Sequence, residues 1–280
     1  MARYDGKEAA RESVLQVAKL CAAAAYKAPQ LTSRLEIKTE IITAEDQEPI
    51  IEFFREIAPI SPVMAFDYQT LKHFRENDDP LVILLIGAKL TSCELGWDCG
   101  ACGFSTCAEF NKFAKANMGR GTLWSGPSCN WKVMDFAAAC DYACAAAAQY
   151  RFDCRAMATV GAAASGVGYL PDCSAHIGIP IGPTGDMIYY SRKQNMKEFT
   201  YESHRECLLQ SSPTHWMSFA GSTKPSIKDR DEWWLDPVYP KYEPLSGEEQ
   251  QFVAGTLEKV ARVSEKYAPK IASWYQEKQK

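Results

Sequence analysis

"LVILLIGAKLTSCELGWDCGACGFSTCAEF", residues 81–110, opens with an apolar run and ends in a crowd of thiols. Residues 81–87 are too short to span a bilayer and carry no polar face, so they read as a strand buried on both sides. That strand delivers the chain straight into Cys93, Cys99, Cys102 and Cys107, spaced C-x5-C-x2-C-x4-C. The last of these stands where "STCAEFNKFAKAN" takes up helical spacing, so its sulfur lies at a helix start, where free N–H groups and the positive dipole end are found.

On the N-terminal side, Val14, Val17, Ala18, Cys21 and Ala25 form one stripe of an amphipathic helix over 8–26. "RLEIKTEII" (34–42) alternates as a strand does, and 45–58 and 63–76 return to helical spacing. Downstream, a long alanine- and cysteine-rich helix runs from Cys129, and "CRAMATVGAAASGVGYL" predicts another helix of small residues. "HIGIPIGPTG" reads as a loop leading to a strand at about 185–190. Helices and strands intermingle without strict alternation, which predicts an α+β class. Residues 195–245 are aromatic and proline-laden, with Trp216, Trp233 and Trp234, and read either as a partner-docking arm or as a wrap around their own domain. The chain closes on a helix whose Ser246 and Glu249 match a capping box. The expected division is therefore a core of 1–193, carrying the cysteine loop (91–130), and an arm with its helix over 194–280.

Composition narrows the function. With 280 residues, 46% hydrophobic and 24% charged, the chain can bury a substantial core. A net charge of −4 without a basic stripe argues against nucleic acid. The N-terminus does not read as a secretory signal, so a cytoplasmic location without membrane insertion is expected. Eleven cysteines in that setting are poor candidates for a disulfide framework, and clustered ones point to metal or redox work.

A C-x2-C pair suits zinc or an iron–sulfur cluster. Zinc sites usually pair two such knuckles, and the second is missing here. Backbone N–H groups around Gly100 and Gly103 are candidates to bond cluster sulfurs, and Lys112, Lys115, Arg120 and Lys132 to offset cluster charge. Cys140 and Cys144, four apart on one helix face, read as small core residues, with a second site including Cys154 or Cys173 as the alternative. The histidines make no metal-binding spacing, and no phosphate-binding glycine loop or nucleophile elbow is present.

"CGACGFSTCAEF" resembles the [4Fe–4S] segment of corrinoid iron–sulfur proteins and Rnf-type electron-transfer subunits. More closely, "LLIGAK", "CGACGFSTCAEF", "GPSCNWKVMDF", "FDCRAMATVGAAA" and "GIPIGPTGDMIYYSR" resemble an uncharacterised ferredoxin-domain family of anaerobic bacteria and archaea, over about residues 8–193. The resemblance implies a [4Fe–4S] cluster on Cys99, Cys102, Cys107 and Cys129. Cys93, outside the family pattern, is a neighbouring free thiol or an alternative fourth ligand. A weaker likeness joins "LQVAKLCAAAAYKAPQLTSRLEIKTEIITAED" to nitroreductase-like flavoproteins. It implies an α/β sandwich, a homodimer and FMN, although the basic start that grips flavin phosphate there has only Arg11 and Ser13 as a partial echo. The leading expectation is one-electron relay within an anaerobic redox system, with a redox partner protein. The alternatives are an FMN-dependent oxidoreductase fed by the cluster, and a structural cluster in a subunit that docks a partner.

Overall fold

The computed structural model describes residues 3, 5–76, 78–120, 124–182 and 246–278. Its centre is the apolar run: β2 (Val82–Ala88) is buried at every position. It lies between β1 (Ile37–Thr43) and β6 (Ala175–Gly182), and a two-residue β5 (Asp153–Cys154) completes the order β1-β2-β6-β5, antiparallel throughout. The register places Ile37 opposite Ala88 and Leu84 opposite Ile179. Alternate side chains therefore feed two separate cores.

One core holds Val82, Leu84, Ile86, Ile179 and Ile181 beneath α2 (Val14–Lys27) and α6 (Asn130–Gln149). The other holds Ile83 and Leu85 beneath α3 (Glu48–Ile57), α4 (Pro62–Glu76) and α7 (Ala158–Val167). The C-terminal helix (Gly247–Lys278) adds Val263 and Ile271 to that second core. Its expected capping box is formed, with Ser246 Oγ accepting from Glu249 N–H and Glu249 accepting from Ser246 N–H. The architecture is thus α+β, a four-stranded antiparallel sheet with helices on both faces. Among the described residues, a short α1 (Gly6–Glu12), two 3-10 turns (Ala44–Gln47, Ala58–Ile60), a β3–β4 hairpin (Gly119–Arg120, Ser125–Gly126) and α5 (Cys107–Asn117) are the remaining elements.

One reading needs correction. "HIGIPIG" is not a loop: it is most of β6, a strand at the centre of the sheet. Its glycines and proline hid it, and each has a physical reason. A Cβ at Gly178 would lie 2.2 Å from Val160 Cγ1, so the glycine lets α7 settle onto the strand. Gly178 exchanges both backbone hydrogen bonds with Met157, and the ladder to β5 resumes at Ile181 and Gly182. Strand alternation aims Pro180 into the break between those two contacts, where a missing N–H leaves no bond unmade. The strand expected at 185–190, the 193/194 boundary and the aromatic arm lie outside the described residues. Among the described residues no helix is long and apolar enough to cross a membrane.

Candidate metal centre

The chain leaving β2 is tied down before it reaches the cysteines. Leu90 N–H donates to Ser174 Oγ (2.8 Å), and Leu90 C=O accepts from Cys129 N–H (2.9 Å). That second bond brings a residue thirty-six positions downstream beside Cys93, with the two sulfurs 3.7 Å apart. Asp135, buried in the second turn of α6, holds the helix from the other side by accepting from the N–H groups of Leu31 and Thr32.

Cys93 itself is clamped by Asn111. Its N–H donates to Asn111 Oδ1 and its C=O accepts from Asn111 Nδ2, both at 2.7 Å. Cys107 opens α5. Thr106 and Glu109 form a complete capping box around it, and the Cys107 N–H donates to Asp98 Oδ1 (2.7 Å). Cys129 is the N-cap of α6, and its side chain makes no capping bond, so its sulfur is not committed to the helix end. Two helix N-termini therefore face one pocket, each favouring negative charge by typically ~0.3–1 kcal/mol.

That pocket is lined by Cys93, Cys99, Cys102, Cys107 and Cys129. Cys93 Sγ is also 3.6 Å from Cys107 Sγ. Phe104, Phe110, Trp97 and Trp131 complete the wall, with Trp97 edge-on to Trp131 at 6.0 Å and Phe104 edge-on to Phe110 at 5.8 Å. All four sequence-predicted ligands and the alternative fourth are therefore brought together. Cys93 and Cys129 are both buried, so burial does not separate them as the fourth ligand.

The thiols differ in electrostatics. Burial pushes the Cys93 thiol up to about 12. Cys99, on the open side, is held below the ordinary thiol value by the Ala101 N–H and then by the Trp131 indole N–H, whose Nε1 lies 3.2 Å from the sulfur. The auxiliary groups read from sequence fare less evenly. Gly100 and Gly103 both take positive φ (73° and 86°) in open space, so glycine is needed there for the turn and not for clearance. The Gly103 N–H is spent on Gly100 C=O (2.9 Å) and is not available to a cluster sulfur. Lys132 is buried and paired with Glu94 at 2.6 Å, so its charge is already matched. Lys112 and Lys115 are exposed on α5. Asn111, Asp98 and Trp131 were missed in the sequence. Asn111 lies one turn beyond Cys107, which was a usable signal.

Among the described residues no group of three Cys, His, Asp or Glu side chains is arranged to hold a metal ion. The five thiols instead line the pocket from several sides. A thiolate-only donor set around one pocket, with helix N-termini behind two of its members, fits an iron–sulfur centre.

Of the comparisons with known proteins, one names a class. Residues 125–192 match the family model described as "Uncharacterized protein containing a ferredoxin domain". An "Uncharacterized protein" of Archaeoglobus fulgidus is 28% identical over 186 residues, covering 66% of this chain and 95% of that protein. No solved structure matches. The matched segment contains Cys129, α6, α7 and β6 but not the earlier cysteines. Over residues 125–192 the chain is thus similar to the ferredoxin-domain family that its motifs resembled, a likeness that suggests an iron–sulfur protein.

Proposed function

We propose that the protein binds one [4Fe–4S] cluster through Cys99, Cys102, Cys107 and Cys129 and passes single electrons to and from a redox partner protein in an anaerobic system. The observation that carries this reading is the convergence of those thiols, from two helix N-termini and one glycine turn, on a single aromatic-walled pocket. When bound, the cluster supplies a one-electron redox couple. The chain's own residues do the rest. The N-terminal ends of α5 and α6 stabilise negative charge at Cys107 and Cys129. Trp131 and Ala101 donate to the Cys99 sulfur, and Phe104, Phe110 and Trp97 keep water from the inner thiols. The open side at Cys99 gives a partner its closest approach, because Cys93 and Cys129 are buried.

Preparation without oxygen tests this reading through iron, sulfide and the electron-spin-resonance spectrum after reduction. About four irons and four labile sulfides per chain are expected. Cys129→Ser should lose the cluster and Cys93→Ser should keep it; the reverse pattern would move the fourth ligand to Cys93. A centre that no reductant changes would assign it a structural role in a partner-docking subunit. Helices on both faces of an antiparallel sheet also fit a nitroreductase-like sandwich, so FMN released on denaturing the same sample would support the flavin-dependent alternative.

A further inference from the structure

Away from the metal centre, Cys21, Cys140, Cys144 and Cys154 meet where α2, α6 and β5 pack together. They are not equivalent. Cys21 and Cys140 are buried, and burial pushes both thiols up to about 12, as expected of small core residues. Cys144 and Cys154 are half-buried. The chain reverses sharply after α6. Arg151 takes φ 62°, and the N–H groups of Arg151 and Phe152 donate to Ala148 and Ala147 C=O. This folds β5 back along the last turns of the helix. Cys154 Sγ then lies 3.6 Å from the Cys144 carbonyl oxygen, which puts the two side chains side by side. The pairing of Cys154 with Ile181 fixes β5 in that place.

We propose that Cys144 and Cys154 are a dithiol site that a hydroperoxide oxidises to a disulfide, tying β5 to the end of α6. The closeness of the two side chains separates their acidities, holding the Cys154 thiol below its ordinary value and the Cys144 thiol above. Cys154 is the attacking thiolate. Its sulfur bonds to one peroxide oxygen, the O–O bond breaks, and the other oxygen leaves as water, or as an alcohol from an organic peroxide, on taking a proton. Cys154 is now a sulfenic acid. The Cys144 sulfur attacks it, the S–S bond forms, and the sulfenic hydroxyl leaves as water with the Cys144 proton. Two thiols are oxidised, one peroxide is reduced, and for hydrogen peroxide two waters result. The site is independent of any cluster: at 1.5 Å rise per residue, Cys144 stands ~22 Å along α6 from Cys129.

The test is peptide mapping of the full chain, as isolated, before and after hydrogen peroxide. Trypsin leaves Cys154 alone in residues 152–155 and Cys144 together with Cys140 in residues 133–151, so the two serine variants decide which of that pair is linked. A peroxide-dependent, dithiothreitol-sensitive link between those peptides is expected, forming about tenfold faster than Cys173 is oxidised. Cys144→Ser should abolish the link and leave Cys154 as a sulfenic acid that dimedone traps. Cys140→Ser should leave the link intact. Unlinked, alkylatable Cys144 and Cys154 after peroxide treatment of the unaltered chain would overturn the proposal, as would a link that survives Cys144→Ser.

Discussion

Replacing Asn111 with alanine separates a clamp from a coincidence, because two effects oppose each other. Asn111 makes two hydrogen bonds of 2.7 Å to the backbone of Cys93, one as acceptor and one as donor. Each is worth a net ~0.5–1.5 kcal/mol, so their loss costs about 1–3 kcal/mol. Alanine is the better helix former by up to ~0.7 kcal/mol, and Asn111 lies within α5. The expected outcome is a net destabilisation of roughly 0.5–2.5 kcal/mol in denaturant unfolding, read with unchanged slope. Cys93, buried beneath the clamp, should also alkylate faster. Asn111→Asp keeps the bond to the Cys93 N–H but sets a second acceptor against its C=O, so it should not restore stability. A more stable alanine variant with unchanged Cys93 reactivity would refute the reasoning, since helix propensity alone would then account for the residue.

Trp131→Phe keeps a ring against Trp97 and removes only the indole N–H from Cys99. The more negative, reduced state of the proposed cluster would gain most from that donor, so a loss of ~0.5–1 kcal/mol should lower its midpoint by about 20–40 mV in a redox titration; a rise would contradict it. Gly161→Ala would place a methyl group 2.1 Å from the His176 carbonyl oxygen, a backbone atom that cannot swing aside. About 3 kcal/mol should be lost, seen as a clear fall in thermal midpoint, and an unchanged midpoint would sink the packing argument. Burial raises the Asp67 carboxyl above its ordinary value, even though Thr159 Oγ1 donates to it at 2.6 Å. A raised folded value means that its contribution is full below the unfolded pKa of ~3.9 and is lost as pH rises through the folded one. Asp67→Asn should therefore be the more stable form at pH 7, with the gap closing as pH falls; a less stable variant at pH 7 would contradict the sign.

What the sequence disclosed follows from which interactions are local. The apolar run at 81–87 read as a buried strand, and β2 (Val82–Ala88) lies between two cores. The helix starts at Cys107 and after Cys129 were legible from composition and spacing. β6 was not, because Gly178 answers to Val160 and Pro180 to a gap in the neighbouring strand, neither of which is near in sequence. The Asp98 bond to Cys107 joins polar residues without periodicity, so no pattern announces it, and the Asn111 clamp was signalled only by its place one turn beyond Cys107. Cys144 and Cys140 looked alike on one helix face; only the reversal after Tyr150 distinguishes them, by bringing Cys154 to one and not to the other.

The account stands or falls on what Cys99, Cys102 and Cys107 hold. Metal and sulfide analysis of chain isolated without oxygen, beside the same chain with those three cysteines changed to serine, asks this directly. The account predicts about four irons with matching sulfide in the first sample and none in the second. Stoichiometric zinc without sulfide, or iron and sulfide that persist after all three replacements, would contradict it.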